Sequence, residues 1–475
     1  MNTAVFPKTL ADALGSIGQS HLVEHASTLE GSTLGCFIEQ LDALDLPALG
    51  RYIQTYGKGY TSPPTSDSIK PASCYTLCDE SWDREHYRKV GQELIGAGKV
   101  ACFTVAGGQG SRLGYDGPKG CFPTSCVNEK PLFQLFAEAI VKSQQKYGCT
   151  IPWAIMTSPL NHEATVAFFG ANNFFGLTEK QVMFFEQGVM PSFDLESGRL
   201  LLAGPGILAT NPDGHGGAYR ALKTSGALDA MLALGIEQLS YFQVDNPHAK
   251  ILDPVFLGLH SSGTDSSGEM SSKMVAKASW DEKVGVFCSI DGKSEIIEYS
   301  DLPEHLAKQT DDAGALAFNA GSIAIHAISL AFIEKIVSDP RYALAFHRAV
   351  KKVAWVDPLT AQVITPTEPN AIKLERFVFD GIKLAEASIV LETERVEEFA
   401  PVKNATGADS IESSKVLQTE RAARWLESIG VAVPRNGDGS VDAVIEISPL
   451  SAVEPNDLRS LDLATAIEPG SSVVL

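Results

Sequence analysis

The chain has 475 residues, 44% of them hydrophobic and 20% charged, which suits a globular protein of two or three domains, since single cores stop growing well below this length. Its 38 Lys and Arg against 58 Asp and Glu leave a formal charge of −20, which argues against non-specific nucleic-acid binding. Anionic substrates would then need a local basic pocket and a divalent cation. The eight cysteines include no C-x-x-C pair, which argues against zinc and for reduced thiols in the cytoplasm.

The opening MNTAVFPKTLADALG lacks the basic and apolar regions of a signal peptide. Residues 1–95 read as mostly helical: Phe37, Leu41 and Leu44 fall at i, i+4 and i+7, and Trp82 to Ile95 mixes charge with helix formers. A Pro/Ser-rich break, Thr61 to Pro71, separates the two helical parts. Val100 to Val105 then has the length and β-branched content of a buried strand, and it stops at Gly107-Gly108. In the loop that follows, Gly107, Gly108, Gly110 and Gly114 let backbone approach a ligand, and successive amides can face an anion. Arg112 and Lys119 add positive charge, and Pro118 restricts the chain before the lysine. The loop suits phosphates. It is not a P-loop, because no Gly-Lys pair has the required upstream glycine and following hydroxyl. Gly108, Gly110 and Gly114 are spaced one residue too long for a dinucleotide fingerprint, and Glu129 sits in a polar stretch; an NAD-binding oxidoreductase is an outlying alternative.

From Val100 onward, short apolar runs alternate with amphipathic segments, the trace of a parallel α/β sheet. A helix is expected over Leu132 to Tyr147 and a strand over Trp153 to Met156, with Thr157 and Ser158 at the edge where such sheets bind ligands. Phe184-Phe185-Glu186-Gln187 repeats the pattern, and the Gln187 amide can both donate to and accept from a nucleobase. The glycines of Asn211 to Ala221, NPDGHGGAYRA, again allow close approach ahead of a helix N-terminus. Leu239 to Val244 reads as a strand ending at Asp245-Asn246, where a carboxylate is a natural Mg²⁺ ligand. Lys273 to Lys277 reads as a strand, and a hairpin around Asp291-Gly292 is expected between Val284–Val286 and Ile296–Tyr299. Ala313 to Ile333 contains Asn319, Gly321 and His326 and fits a strand, turn and helix better than a membrane span. In NAIKLERFVFD, Phe377 and Phe379 would share one strand face, while Lys373 by itself reads as an exposed helix or loop lysine. Lys403 follows a proline in FAPVKNA; a helix near Val416 to Ser428 and a β segment in Val441 to Pro449 complete the chain.

The string G-G-x-G-[ST]-R-L-G followed by P-K, here Gly107 to Lys119, resembles the UDP-sugar pyrophosphorylase family, most closely its eukaryotic-type UDP-N-acetylglucosamine (UDP-N-acetylhexosamine) members. The likeness runs from about Val100 to about Pro449. It implies an α/β fold: a Rossmann-like (GT-A-like) nucleotidyltransferase domain over 96–385, after a helical region at 1–95 and before a small α+β domain at 386–475. The implied reaction is UTP plus sugar 1-phosphate, N-acetylglucosamine 1-phosphate by preference, giving UDP-sugar and pyrophosphate with Mg²⁺, without nucleic-acid or membrane partners.

The resemblance also distributes roles. Ala106, Gly107, Gly108 and Gly110, with Arg112 and Lys119, would hold the triphosphate, Asp245 the metal, and Lys373 would support UTP. Gln187, in F-E-Q, and Gly214 would read uracil. Gly285, Glu298 and Tyr299, together with Asn319 of F-N-A-G, Phe377 and Phe379, would face the sugar, and Lys403 its phosphate. The family reads P-D-G-N-G-G where this chain has His215, and related UDP-glucose enzymes carry G-H-G, so sugar choice stays open. UDP-glucose or broad UDP-sugar synthesis is one alternative, and a non-catalytic nucleotide-sugar-binding protein is another.

Overall fold

The computed structural model describes residues 5–61, 68–358 and 360–475, so most of the expected Pro/Ser-rich break, 62–67, lies outside the described residues. Contacts group the chain into two compact units, each discontinuous in sequence.

The larger unit comprises Ser66–Gln187, Ala218–Ala343 and Val378–Leu475. Its centre is four parallel strands: β1 (Val100–Val105), β2 (Trp153–Thr157), β3 (Val182–Glu186) and β4 (Gln238–Gln243), in the order β4-β1-β2-β3. β1, β2 and β4 are buried almost throughout, which is why they read as continuous apolar runs and not as alternating ones. Beyond β4 the sheet continues through β5 (Met270–Ala276), β6 (Val286–Ile290), β7 (Lys293–Ile297), β8 (Ala320–Ser329) and β9 (Val390–Glu392). β8 runs antiparallel to β4, β5 and β6. The β6–β7 turn is Asp291-Gly292, both at positive φ (51° and 82°), as a two-residue hairpin turn demands.

Crossover helices supply the core. Leu132–Tyr147 links β1 to β2 and stops at Gly148, whose φ of 69° ends the helix in the left-handed region. Phe133, Phe136, Trp153, Phe169 and Phe242 pack in one buried cluster, each contributing about 1.5–3 kcal/mol on burial. The Trp153 indole donates to Thr104 Oγ1 at 2.8 Å, so its polar edge is satisfied inside the sheet. Helices Arg84–Gly96 and Pro254–Ser262 meet backbone to backbone: a Cβ at Gly91 would lie 1.9 Å from the Pro254 oxygen, and one at Gly258 1.9 Å from that of Tyr87. Near the C-terminus, helix Ile411–Ser428, capped by Ser410, and the parallel strands Ala443–Glu446 and Ser471–Val474 bury Trp425, Leu426, Ile445 and Leu458 in a cluster of their own.

The smaller unit comprises the described residues within Met1–Thr65, with Gly188–Gly217 and Leu344–Phe377. Helices Lys8–Ser16, Ser20–Ala26, Gly31–Asp42 and Leu46–Tyr56 share a core with an antiparallel sheet of His347–Lys351, Ala371–Glu375 and Phe193–Asp194. Two expectations are corrected here. Lys373 sits mid-strand, paired opposite Ala349. The strand ends at Glu375, so Phe377 and Phe379 share no strand face: the Arg376 amide donates to the Asp213 carbonyl at 2.7 Å, its carbonyl accepts from Gly216, and Val378–Leu384 turns into a 3₁₀ helix.

All eight cysteines are free thiols, and burial pushes those of Cys121 and Cys288 up to about 12. Among the described residues no helix is long and apolar enough to cross a membrane.

Candidate functional site

Parallel pairing brings the C-terminal ends of β1 to β4 to one edge, so the loops leaving them are neighbours. The Ala106 amide donates to the Met156 carbonyl at 2.7 Å, the Gln187 amide to that of Thr157 at 2.8 Å, and the Val244 amide to that of Val105 at 3.2 Å. The glycine loop therefore lies beside the ends of β2 and β4. It folds back on itself, with Gly110 donating to Gly117 at 2.9 Å and Lys119 to Gly108 at 3.1 Å, which returns Lys119 to the loop's base. Among the described residues, the amides of Gly107, Gly108 and Gln109 donate to no protein acceptor. Their donors are available to an anion.

Steric demand explains two of the glycines. A Cβ at Gly107 would lie 2.3 Å from Gln187 Oε1, and one at Gly110 2.9 Å from Tyr115 Cβ. Neither has positive φ, so close approach and not backbone conformation is the constraint. Asn161 was not foreseen. It is buried, its Nδ2 donates to the carbonyls of Ala106 at 2.9 Å and Gly108 at 3.1 Å, and its Oδ1 accepts from the Ser158 amide at 2.8 Å. Tying down these carbonyls fixes which way the loop's peptides face.

Lys119 Nζ lies 3.4 Å from Asp245 Oδ2, both side chains largely covered, at 16% and 14% exposure. Among the described residues no group of three or more His, Cys, Asp or Glu converges to hold a metal. A single carboxylate at a strand end suits a cation whose other ligands are substrate oxygens and water, the habit of Mg²⁺. The Val402 amide donates to the Asp245 carbonyl at 2.8 Å, so Lys403 follows directly on a segment held at this edge. Its ammonium lies 3.6 Å from Asp409 Oδ2. Arg112 is exposed on the single turn Ser111–Leu113.

A second group gathers around β6 and β8. A Cβ at Gly285 would meet Ile296 Cγ2 at 2.7 Å and Glu298 Oε1 at 3.7 Å. The Gly285 carbonyl accepts from Ser322 at 2.8 Å, and the Asn319 carbonyl from Lys277 at 2.9 Å. Gly285, Glu298 and Asn319 are thus one neighbourhood. Burial pulls the Lys277 ammonium below the usual lysine range. Tyr299 is 47% exposed and Phe379 lies in the 3₁₀ turn after residue 377.

In the smaller unit, Gly214 (φ 84°), His215 and Gly216 fold onto residues 375–377; a Cβ at Gly214 would meet the Arg376 oxygen at 2.3 Å. The His215 ring stacks on Phe377 at 5.2 Å and 20°, and His347 lies 4.2 Å from the same ring. A cavity of about 300 Å³ lies elsewhere: Glu398, Asp253, Lys250, Arg421 and Trp425 line it, and Lys119, Gln187 and Asp245 do not.

The sequence profile of the UTP–glucose-1-phosphate uridylyltransferase family matches residues 60–424. The chain is 36% identical over 372 residues to UDP-N-acetylglucosamine pyrophosphorylase of Saccharomyces cerevisiae, covering 77% of each chain. It is 32% identical over 481 residues to UDP-N-acetylglucosamine diphosphorylase 2 of Arabidopsis thaliana, covering 97% of this chain and 92% of that one. The crystal structure of uridine diphosphate N-acetylglucosamine pyrophosphorylase from Trypanosoma brucei in complex with an inhibitor matches with a TM-score of 0.81 at 25% identity, covering 98% of both chains.

Proposed function

The chain belongs to the UTP–glucose-1-phosphate uridylyltransferase family and is a nucleotidyltransferase, and we propose that it makes UDP-N-acetylglucosamine and pyrophosphate from UTP and N-acetylglucosamine 1-phosphate. The observation that carries this reading is the meeting, at one strand edge, of a glycine loop whose amides at Gly107, Gly108 and Gln109 have no protein acceptor among the described residues, a lysine and a strand-end aspartate. The relatives' names direct the choice of sugar.

The sugar phosphate oxygen is already ionised, so no protein base is needed. It attacks the α-phosphorus of UTP, the α–β phosphoanhydride bond breaks, and pyrophosphate leaves with the electron pair. What remains for the protein is alignment and neutralisation of charge. In this reading the loop from Ala106 to Gly110, Arg112 and Lys119 bind the triphosphate, Gln187 and Gly214 read uracil, and Lys373 supports UTP. Gly285, Glu298, Tyr299, Asn319, His215, Phe377 and Phe379 serve the sugar, and Lys403 its phosphate. Asp245 would hold Mg²⁺, which when bound offsets charge on the α-phosphate. The eight free thiols fit a reducing, cytoplasmic setting.

His215 supports a second reading, a preference for UDP-glucose or a broad sugar range, because a ring stacked on Phe377 presents a different surface from an asparagine. Pyrophosphate release in a coupled assay with UTP and N-acetylglucosamine, N-acetylgalactosamine or glucose 1-phosphate separates the two. We expect kcat/KM at least about tenfold higher for N-acetylglucosamine 1-phosphate than for glucose 1-phosphate, the scale on which one substituent is discriminated. Equal or better use of glucose 1-phosphate establishes the second reading, and no pyrophosphate with any sugar leaves only a binding protein.

A further inference from the structure

One side chain ties the segment that leads to Lys403 to the loop that carries Asp245. Asn246 is buried; its Nδ2 donates to the Glu398 carbonyl at 2.7 Å, and its Oδ1 accepts from the amides of Ala400 at 3.0 Å and His248 at 3.2 Å. Two residues on, the Val402 amide donates to the Asp245 carbonyl at 2.8 Å. Residues 398–402 therefore run alongside 245–246, and Lys403 departs where the last of these bonds ends. Only a planar amide supplies a donor and an acceptor side by side at this reach.

The far end of the segment is anchored from beneath. Both Glu398 carboxylate oxygens accept from Lys273 Nζ at 2.6 Å, and Oε1 also accepts from Thr393 Oγ1 at 2.8 Å. Lys273, fully buried on β5, donates as well to Asp253 Oδ2 at 2.6 Å. Burial pushes the Asp253 carboxyl up, but the ammonium groups of Lys250 and Lys273 outweigh it and hold it well below the usual carboxylate range. The ions thus compensate one another inside the fold. Ser414 Oγ donates to the Ala400 carbonyl at 2.7 Å, and Pro401 stiffens the middle. By contrast, the Lys403 side chain is 33% exposed, so the accuracy of its reach depends on where its backbone is held.

We infer that Asn246 is a positioning residue: by clamping residues 398–400 beside Asp245 it sets the reach of Lys403, and it acts through that lysine and not on substrate. The inference rests on the roles proposed above for Lys403 and Asp245. A misplacement of about 1 Å at a positioning group costs on the order of 10²-fold in rate.

A double-mutant cycle of Asn246→Ala and Lys403→Ala tests it, read as steady-state kinetics for each substrate with thermal unfolding as the check on folding. Asn246→Ala alone should lower kcat/KM for the sugar 1-phosphate by about 10²-fold and leave the KM for UTP within about threefold. In the Lys403→Ala background the same change should cost less than about threefold, since the lysine it positions is gone. Losses that multiply, or an Asn246→Ala enzyme within about threefold of wild type, overturn the inference while leaving the Lys403 assignment intact. A Lys403→Ala enzyme with wild-type turnover instead removes the underlying reading, and the inference with it. Should Asn246→Ala not fold, Asn246→Ser, too short to bridge Glu398 and Ala400, carries the same cycle.

Discussion

At the residue scale, the chemistry rests on which side chains the strand ends expose and on how tightly their neighbours allow them to sit. Gly107 illustrates this: its missing Cβ leaves room for the Gln187 amide, 2.3 Å from where a methyl group would stand. Gly107→Ala should therefore swing the glutamine aside without unfolding the protein, raising the KM for UTP about tenfold, the loss of roughly one hydrogen bond to the base. UTP titration of the variant checks this, and an unchanged KM would separate Gln187 from base recognition. The places of Gln187 and Asp245 just past strand ends were legible because each follows an apolar run. Asn161 and Asn246 were not, because a buried asparagine that bonds to backbone looks in sequence like any loop asparagine. Their partners, Ala106 and Gly108 for one and Glu398 and Ala400 for the other, are distant in the chain.

At the element scale, the strands and crossover helices were the readable part. Buried parallel strands leave unbroken apolar runs, and Leu132–Tyr147 begins after a proline and ends at a glycine, both visible in sequence. Phe377 and Phe379 misled because two aromatics spaced by two read as one strand face, whereas the Arg376 amide donates to Asp213 and its carbonyl accepts from Gly216, which takes the chain out of its sheet. The docking of helix Pro254–Ser262 was invisible too. It presses Gly258 onto the Tyr87 carbonyl and sends His260 into the sheet, with Nδ1 2.8 Å from Ser271 Oγ and Nε2 3.0 Å from Gln238 Oε1. Burial lowers the His260 pKa to about 4 from an ordinary 6.5. Between these values the unfolded chain binds more protons than the folded one, so this contribution is complete above pH 6.5 and is lost as pH falls toward 4. It amounts to about 3 kcal/mol. His248, pulled down by burial as well, adds in the same direction. Urea unfolding at several pH values should show His260→Gln with a shallower loss of stability over this window, by about one proton. An unchanged slope would mean that His260 is protonated in the fold.

At the scale of the whole molecule, the sequence motifs are collinear but the compact units are not. Gly188–Gly217 and Leu344–Phe377 leave the larger unit to join the N-terminal helices, and no composition shift marks those departures. Residues read in one motif series are consequently divided: Gln187, Lys119, Asp245 and Lys403 belong to the larger unit, and Gly214, His215, Lys373 and Phe377 to the smaller. With a net charge of −20, an acidic chain must concentrate its donors where phosphates go. Lys119, tied to the glycine loop through Gly108, lies 3.4 Å from Asp245, and the proposed reaction requires both charges there. Single-turnover formation of UDP-sugar from UTP and N-acetylglucosamine 1-phosphate, with Mg²⁺, tests it most directly when wild type is set against Asp245→Ala and Lys119→Ala. Each variant should lose about 10²–10³-fold in rate, the scale of removing one preorganised charge, with unchanged thermal unfolding. Near wild-type rates in either folded variant would contradict it.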